Sequence, residues 1–341
     1  MPSTACRAAL SLLVATTLAV ILNAGFTGLR SAESTAATLP PCGAPTVRTV
    51  AKLPGSIPQL ASDELAPPVT AAAAVVMDAE TGRVLYDLRG HDVMRPASTT
   101  KIMTAILALQ QLPDLQRVVI SDIDATTLVG SSVMGLRPGV PITIQDLLFG
   151  LMLPSGNDAA IELAKAVDGD EGRFVQRMNS LARALDLRET HFANPHGLDA
   201  PDHYMSAFDL AKLADFAMAN PAFAQIVGTR DYHLAPPSDY GLHNGNSMLQ
   251  SYPGADGVKI GWTEAAGWTL VASATRDGHR LIAVVLNSRD RDADASSLLD
   301  WAYRSYQWTP VSVDSHLVSS QPAGVPATEA QRLARELAIC F

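Results

Sequence analysis

The chain has 341 residues, 48% of them hydrophobic, and a formal net charge of −9. A chain of this size can bury a large core in one big domain or two. Its acidic balance excludes nucleic acid as the main partner. The three cysteines, Cys6, Cys42 and Cys340, form no disulfide framework and have no metal-ligand spacing. Cys42 and Cys340 flank the presumed domain and read as unrelated thiols, or as a pair in an oxidising compartment.

Residues 8–29 carry no charge, are mostly apolar, and follow a single early charge, Arg7. This pattern is a secretory signal or an uncleaved membrane anchor, and it makes the protein extracytoplasmic. The run is long for a signal core, and only Ala24 and Ala32 offer a small-residue cleavage site, so cleavage stays open. Residues 31–68 are rich in Ser, Ala, Thr and Pro with no sustained period and read as a linker. The catalytic domain is expected over residues 69–308, with a tail over 309–341 that ends in a short amphipathic stretch.

Residues 71–77 are apolar and lead through Asp78-Ala79-Glu80-Thr81-Gly82 into Arg83-Val84-Leu85-Tyr86, a strand–turn–strand hairpin. From Lys101 to about residue 227 the pattern is mostly helical, broken by a Gly/Pro-rich loop over 131–141. Thr143 reads as an N-cap, Pro154 as a helix end, residues 158–167 and 171–185 as helices, and Ser206 as the N-cap of another helix. Strands follow after residue 228, at 257–262, 268–275 and 280–287, and a closing helix at 296–306. Strands from the two ends of the domain are expected to share one antiparallel sheet, with the helical stretch inserted as a lobe: an α+β fold.

Three short motifs carry the chemistry. Pro96-Ala97-Ser98-Thr99-Thr100-Lys101 precedes an apolar run at helical spacing. Ser98 therefore sits near a helix N-terminus, with Lys101 one turn along on the same face. A serine hydroxyl needs a neighbour to take its proton, and a lysine can do so once burial and nearby cations depress its pKa. Ser155-Gly156-Asn157 falls between two helices, where a hydroxyl can relay a proton and an amide can hold a carbonyl. Lys259-Ile260-Gly261 lies on a strand, with Lys259 aimed across the cleft and Gly261 leaving room for close backbone approach. The chain has only five lysines against twenty arginines, and two of the five stand in these motifs. Arginine cannot replace a lysine that must lose its proton, although coding bias with chance placement would give the same count.

The order S-x-x-K, S-x-N, K-x-G is the set shared by class A β-lactamases and penicillin-binding proteins. The surrounding phrases Leu153-Pro154-Ser155-Gly156-Asn157-Asp158-Ala159-Ala160, His191-Phe192-Ala193-Asn194-Pro195-His196-Gly197-Leu198 and Gly257-Val258-Lys259-Ile260-Gly261-Trp262-Thr263 extend the likeness. Over about residues 70–308 the chain resembles the D-alanyl-D-alanine carboxypeptidases, the low-molecular-mass penicillin-binding proteins. The resemblance implies a β-lactamase/DD-peptidase-like fold, no cofactor and no metal. It also implies a peptidoglycan stem peptide ending in D-Ala-D-Ala as substrate, and β-lactams as covalent inhibitors. Ser98 would attack the D-Ala-D-Ala carbonyl with Lys101 as base, and Ser155 would hand the proton to the leaving amine. Asn157 would bind the substrate peptide, Lys259 would shape the field, and the N–H groups of Ser98 and Trp262 would form the oxyanion hole. Gly261, Trp262 and Thr263 complete the expected binding strand.

One position departs from the family. Threonine or serine usually stands where this chain has Ile260, and that hydroxyl helps bind the terminal carboxylate. Thr263, Arg289 or Arg291 are the candidates to compensate. A β-lactamase of this type needs a deacylating glutamate in an E-x-x-x-N pattern, and Glu189 has no asparagine four residues on. A wall-peptide or penicillin sensor with lost turnover is the other alternative. His191, His196 and His203 lack ligand spacing, and Trp262 and Trp268 read as packing rather than as a carbohydrate platform.

Overall fold

The inner strand β2 (Ala73–Asp78) is buried at every position, which an antiparallel strand with one wet face could not be. The computed structural model describes residues 54–311 and supplies the reason. β2 pairs with β3 (Val84–Leu88) on one side and β10 (His279–Ser288) on the other. β9 (Gly267–Arg276) and β8 (Ala255–Thr263) complete an antiparallel sheet in the order β3-β2-β10-β9-β8. Strands from both ends of the domain thus share one sheet, as the sequence predicts. One face, with Val75, Met77, Val271, Ile282 and Val284, packs on the helical lobe. The other, with Ala74, Val76, Leu270 and Val285, packs on Leu298, Leu299 and Ala302 of a closing helix. Each fully buried Val, Leu or Ile contributes about 1.5–3 kcal/mol by leaving water, so this two-sided burial dominates the stability of the domain.

The lobe contains α1 (Lys101–Gln111), α2 (Ile144–Met152), α3 (Asn157–Asp168), α4 (Glu171–Ala184), α5 (Ala207–Met218) and α6 (Pro221–Gly228). Thr143 and Ser206 cap α2 and α5 by accepting from the N–H groups of Asp146 and Asp209, as their spacing predicts. The helical pattern that runs to about residue 227 divides after α5, and Asn220 caps the separate α6, with Pro221 in its first turn. Two small ribbons, β4 (Val118–Ile120) with β5 (Pro141–Thr143) and β6 (Asp231–His233) with β7 (Gly241–His243), edge the lobe, and α7 (Met248–Ser251) leads into β8.

Two boundaries differ from the sequence reading. α8 spans Arg291–Ser305, with Asp290 as its N-cap, so it begins earlier than residue 296. Ser56–Leu60, read as linker, is a strand (β1) paired with β11 (Tyr306–Pro310), which itself crosses the expected boundary at residue 308. The ribbon is tied to the domain by Trp308 Nε1 donating to Asp78 Oδ2 at 2.8 Å and by Arg83 donating to the Pro58 carbonyl at 2.6 Å. The signal or anchor segment, the three cysteines, most of the linker and the tail beyond residue 311 lie outside the described residues. Among the described residues, no helix is long and apolar enough to cross a membrane.

Candidate active site

The site lies where the sheet's edge strand β8 meets the start of α1 and the turn between α2 and α3. Ser98 sits in a 3-10 turn, Ala97–Thr100, that runs straight into α1. The turn is seated from several sides. Ala97 is held at φ +50, Thr99 Oγ1 donates to the Pro96 carbonyl at 2.7 Å, and Thr269 Oγ1 of β9 donates to the same carbonyl at 3.2 Å. Gly261 lies directly beneath: a Cβ there would come 2.9 Å from Ser98 N and 2.4 Å from Thr269 Oγ1. The close approach that Gly261 permits is therefore to the nucleophile's own backbone, rather than only to a substrate.

Lys101 is fully buried, one of the largest side chains of the described residues to be so. Its three N–H bonds are all placed, to Ser98 Oγ at 2.9 Å, Asn157 Oδ1 at 2.7 Å and the His196 carbonyl at 2.6 Å. Burial, reinforced by the charge of Lys259 and opposed by that of Asp158, holds its pKa well below the ordinary lysine value. A buried amine against a serine hydroxyl is the arrangement an activated nucleophile needs. The sequence pairs Ser98 with Lys101; the His196 carbonyl is a partner that it misses, because a backbone acceptor has no residue signature.

Ser155 stands just before α3 in the left-handed region, at φ +68, an uncommon conformation for a residue with a Cβ. Its Oγ is buried and has no hydrogen-bond partner among the described residues. Asn157 opens α3 and is held by its N–H to the Ser132 carbonyl at 2.8 Å and by its Oδ1 to Lys101. Lys259 is buried on β8, and its ammonium donates to the Ile260 carbonyl at 3.2 Å. Burial and the nearby Arg291 charge bring its pKa down to about 7.

On the same strand the Thr263 hydroxyl is already committed, donating to Asp199 Oδ1 and accepting from Ala266 N, each at 3.0 Å. Arg291 reaches the strand from the start of α8, donating to the Gly261 carbonyl at 3.1 Å and lying 4.6 Å over the Trp268 ring. Arg289 is exposed. Of the two arginines left open by the sequence, Arg291 is thus the one held at the β8 edge. Trp262 and Trp268 are 55% and 44% exposed with ring centroids 5.9 Å apart, so they pack on one another while each keeps about half its surface in water. They stand at the β8–β9 hairpin end, where the sheet is not covered.

The 191–204 loop walls the site. Asn194 Oδ1 accepts from the N–H groups of His196 and Gly197, Thr104 Oγ1 donates to the Pro195 carbonyl, and His203 is buried between Thr100 Oγ1 and Ala193 N. Among the described residues, no group of three or more His, Cys, Asp or Glu could hold a metal. Because Ala193 N–H donates to Nδ1 of His203, Nε2 carries the proton and donates to Thr100 Oγ1. Burial lowers the pKa of His203 to about 4 and, together with the Lys101 charge, that of His196 to about 3. Both therefore stay neutral in the folded protein while the unfolded chain takes up protons below about pH 6.5. Stability contributed by neutral His203 should then fall as pH drops from about 6.5 to about 4, by roughly 3 kcal/mol in all. Asp215, whose pKa burial raises to about 6, opposes this over part of the range. The test is therefore a difference: denaturant midpoints of the native protein and His203→Gln, measured from pH 7 to pH 4.5, should converge as the pH falls. Parallel curves would remove His203 as the cause.

The chain matches the model of the D-alanyl-D-alanine carboxypeptidase family over residues 61–290. It is 36% identical over 250 residues to the D-alanyl-D-alanine carboxypeptidase DacF of Bacillus subtilis, covering 71% of this chain and 64% of that protein. To the D-alanyl-D-alanine carboxypeptidase DacB2 of Mycobacterium tuberculosis it is 38% identical over 240 residues, covering 67% of this chain and 81% of that one. The crystal structure of a Streptomyces DD-transpeptidase superposes with a TM-score of 0.67 at 32% identity, over 71% of this chain and all of that one.

Proposed function

Since the chain belongs to the D-alanyl-D-alanine carboxypeptidase family, we propose that it is a serine-type carboxypeptidase that removes the terminal D-alanine from peptidoglycan stem peptides through an acyl-enzyme on Ser98. The observation that carries this reading is the fully buried Lys101 Nζ lying 2.9 Å from Ser98 Oγ, with Asn157 Oδ1 and the His196 carbonyl accepting the two N–H bonds that a neutral amine keeps. As neutral amine, Lys101 takes the Ser98 proton while Oγ attacks the D-Ala-D-Ala carbonyl. The oxyanion is met by the N–H groups of Ser98 and Trp262, which in serine hydrolases are worth about 3–4 kcal/mol per donor. The proton passes through Ser155 to the departing D-alanine amine, and water then releases the acyl group. Asn157 and the β8 edge hold the peptide, Lys259 supplies positive charge beside Ser155, and Arg291 takes the terminal carboxylate. β-Lactams would acylate the same serine. An apolar N-terminal stretch and a wall substrate together support action outside the cytoplasmic membrane, with residues 8–29 as the link to it if they are retained.

The test is release of D-alanine from a diacyl-L-Lys-D-Ala-D-Ala peptide, run with labelled penicillin. Both should depend on Ser98 and disappear in Ser98→Ala. No labelling and no release by the native protein would overturn the reading.

One observation favours a second reading, a penicillin- or wall-peptide-binding sensor with slow turnover. Ile260 offers no hydroxyl, and its Cδ1 lies where a Cβ on Gly245 would come within 2.9 Å. A missing hydrogen bond to a charged carboxylate costs about 1.5–3 kcal/mol. Ile260→Thr should therefore raise kcat/KM for the D-Ala-D-Ala peptide by about ten- to a hundredfold. It should leave unchanged a substrate whose terminal carboxylate is amidated. An equal gain on both substrates would mean that the hydroxyl acts elsewhere.

A further inference from the structure

Asp158 is fully buried in the second position of α3 and has no cation as partner among the described residues. Its charge is met by four backbone N–H groups instead. Oδ1 accepts from Met134 at 2.8 Å and from Ala159 at 2.9 Å; Oδ2 accepts from Gly135 at 2.8 Å and Leu136 at 2.9 Å. Three of the four donors are successive residues of the loop before β5, so the carboxylate gathers that loop around itself like a bound anion. The N-terminus of α3 adds its partial positive charge.

The loop held in this way forms the back of the catalytic turn. Asn157 N donates to the Ser132 carbonyl at 2.8 Å, and Gly156 N donates to the Gly150 carbonyl at 2.9 Å. A Cβ on Gly156 would lie 2.8 Å from Asp158 Oδ1 and 2.9 Å from Met134 N. The turn carrying Ser155 and Asn157 thus has no slack between Asp158 and the loop, and Asn157 passes its position on to Lys101 through the 2.7 Å bond. We propose that Asp158 is a positioning residue for the acyl-transfer reaction: by docking the 134–136 backbone onto the start of α3, it fixes Ser155 and Asn157 against Lys101 and Ser98. It touches no reacting atom. This inference rests on the proposed serine acyl-transfer reading, which assigns those four residues their roles.

The Asp158 charge also opposes the depression of the Lys101 pKa, and that separates positioning from mere support of the fold. Asp158→Asn keeps one acceptor oxygen but turns an amide NH2 toward two N–H donors. Penicillin acylation of Ser98, normalised to the folded fraction, should slow by about a hundredfold, the usual cost of a misplacement on the order of 1 Å. The acid limb of its pH–rate profile should move to lower pH, since Lys101 loses a stabilising anion. Unchanged acylation per folded molecule, or a slowed rate with an unmoved acid limb, would overturn the proposal. If the variant does not fold, amide exchange of the native protein decides. Met134, Gly135 and Leu136 should be protected far beyond their loop neighbours at 129–131, and equal exchange would overturn the docking. Failure of the native protein to acylate at all would count against the acyl-transfer reading and not against the Asp158 contacts.

Discussion

Lys101→Arg should abolish useful catalysis, slowing penicillin acylation of Ser98 by about 10⁴-fold, the upper range for removing a general base. Arginine carries the same charge, yet it cannot give up its proton at any working pH, and Lys101 must be neutral to accept one from Ser98. The site makes neutrality accessible by burying the amine completely beside a second cation. Lys259 provides the internal contrast. Its proposed role is to be a charge, so Lys259→Arg should keep far more activity than Lys259→Ala. Because the Lys259 pKa has come down to about 7, the native rate should decline as pH rises through that region. The arginine variant should hold its rate to higher pH. The same lysine-to-arginine change would then be fatal at one position and protective at the other. Acylation rates from pH 5 to 10 for the native protein and the three variants check this. A Lys101→Arg rate within tenfold of native would rule out Lys101 as the base.

The catalytic motifs are legible because their logic is local. Ser98 and Lys101 are one helical turn apart, and the caps at Thr143 and Ser206 bond to N–H groups three residues on. The sheet is legible because its strands are long apolar runs. What escapes the sequence is long-range or backbone-borne. β1 is short, contains Pro58 and alternates weakly, and its partner β11 lies at the other end of the domain; nothing local distinguishes such a strand from a linker. The start of α8 is hidden in Arg289-Asp290-Arg291-Asp292, a charged run that reads as loop until Asp290 accepts from Ala293 N at 3.1 Å. Arg291 gains its place at Gly261 through that same early start. Asp158 stands in a quoted motif phrase, but its four partners are main-chain groups, and composition cannot announce them.

Gly197 shows how tightly the loop wall and the nucleophile are joined, and it carries the second large effect. It sits at φ +91 with its Cα over the Ala97–Ser98 peptide, so that a Cβ would come 1.9 Å from Ala97 O and 3.0 Å from Ser98 N. Both colliding groups are backbone, and neither can swing aside as a side chain would. Gly197→Ala must therefore push the loop off the turn or displace the nucleophile's peptide. A shift on the order of 1 Å there should slow acylation by about a hundredfold. The left-handed φ alone adds roughly 1–2 kcal/mol of strain. That strain can be isolated at Gly169, the C-cap of α3, which has φ +83 and nothing within 4 Å of a Cβ. Gly169→Ala should lose stability by about the same strain term and keep its rate. Gly197→Ala should lose more stability and also the rate. Thermal melts and Ser98 acylation of the two variants, side by side, separate strain from collision. If both variants acylate at the native rate, the loop does not hold the nucleophile, and the seat of Ser98 belongs to Gly261 and Thr269 alone.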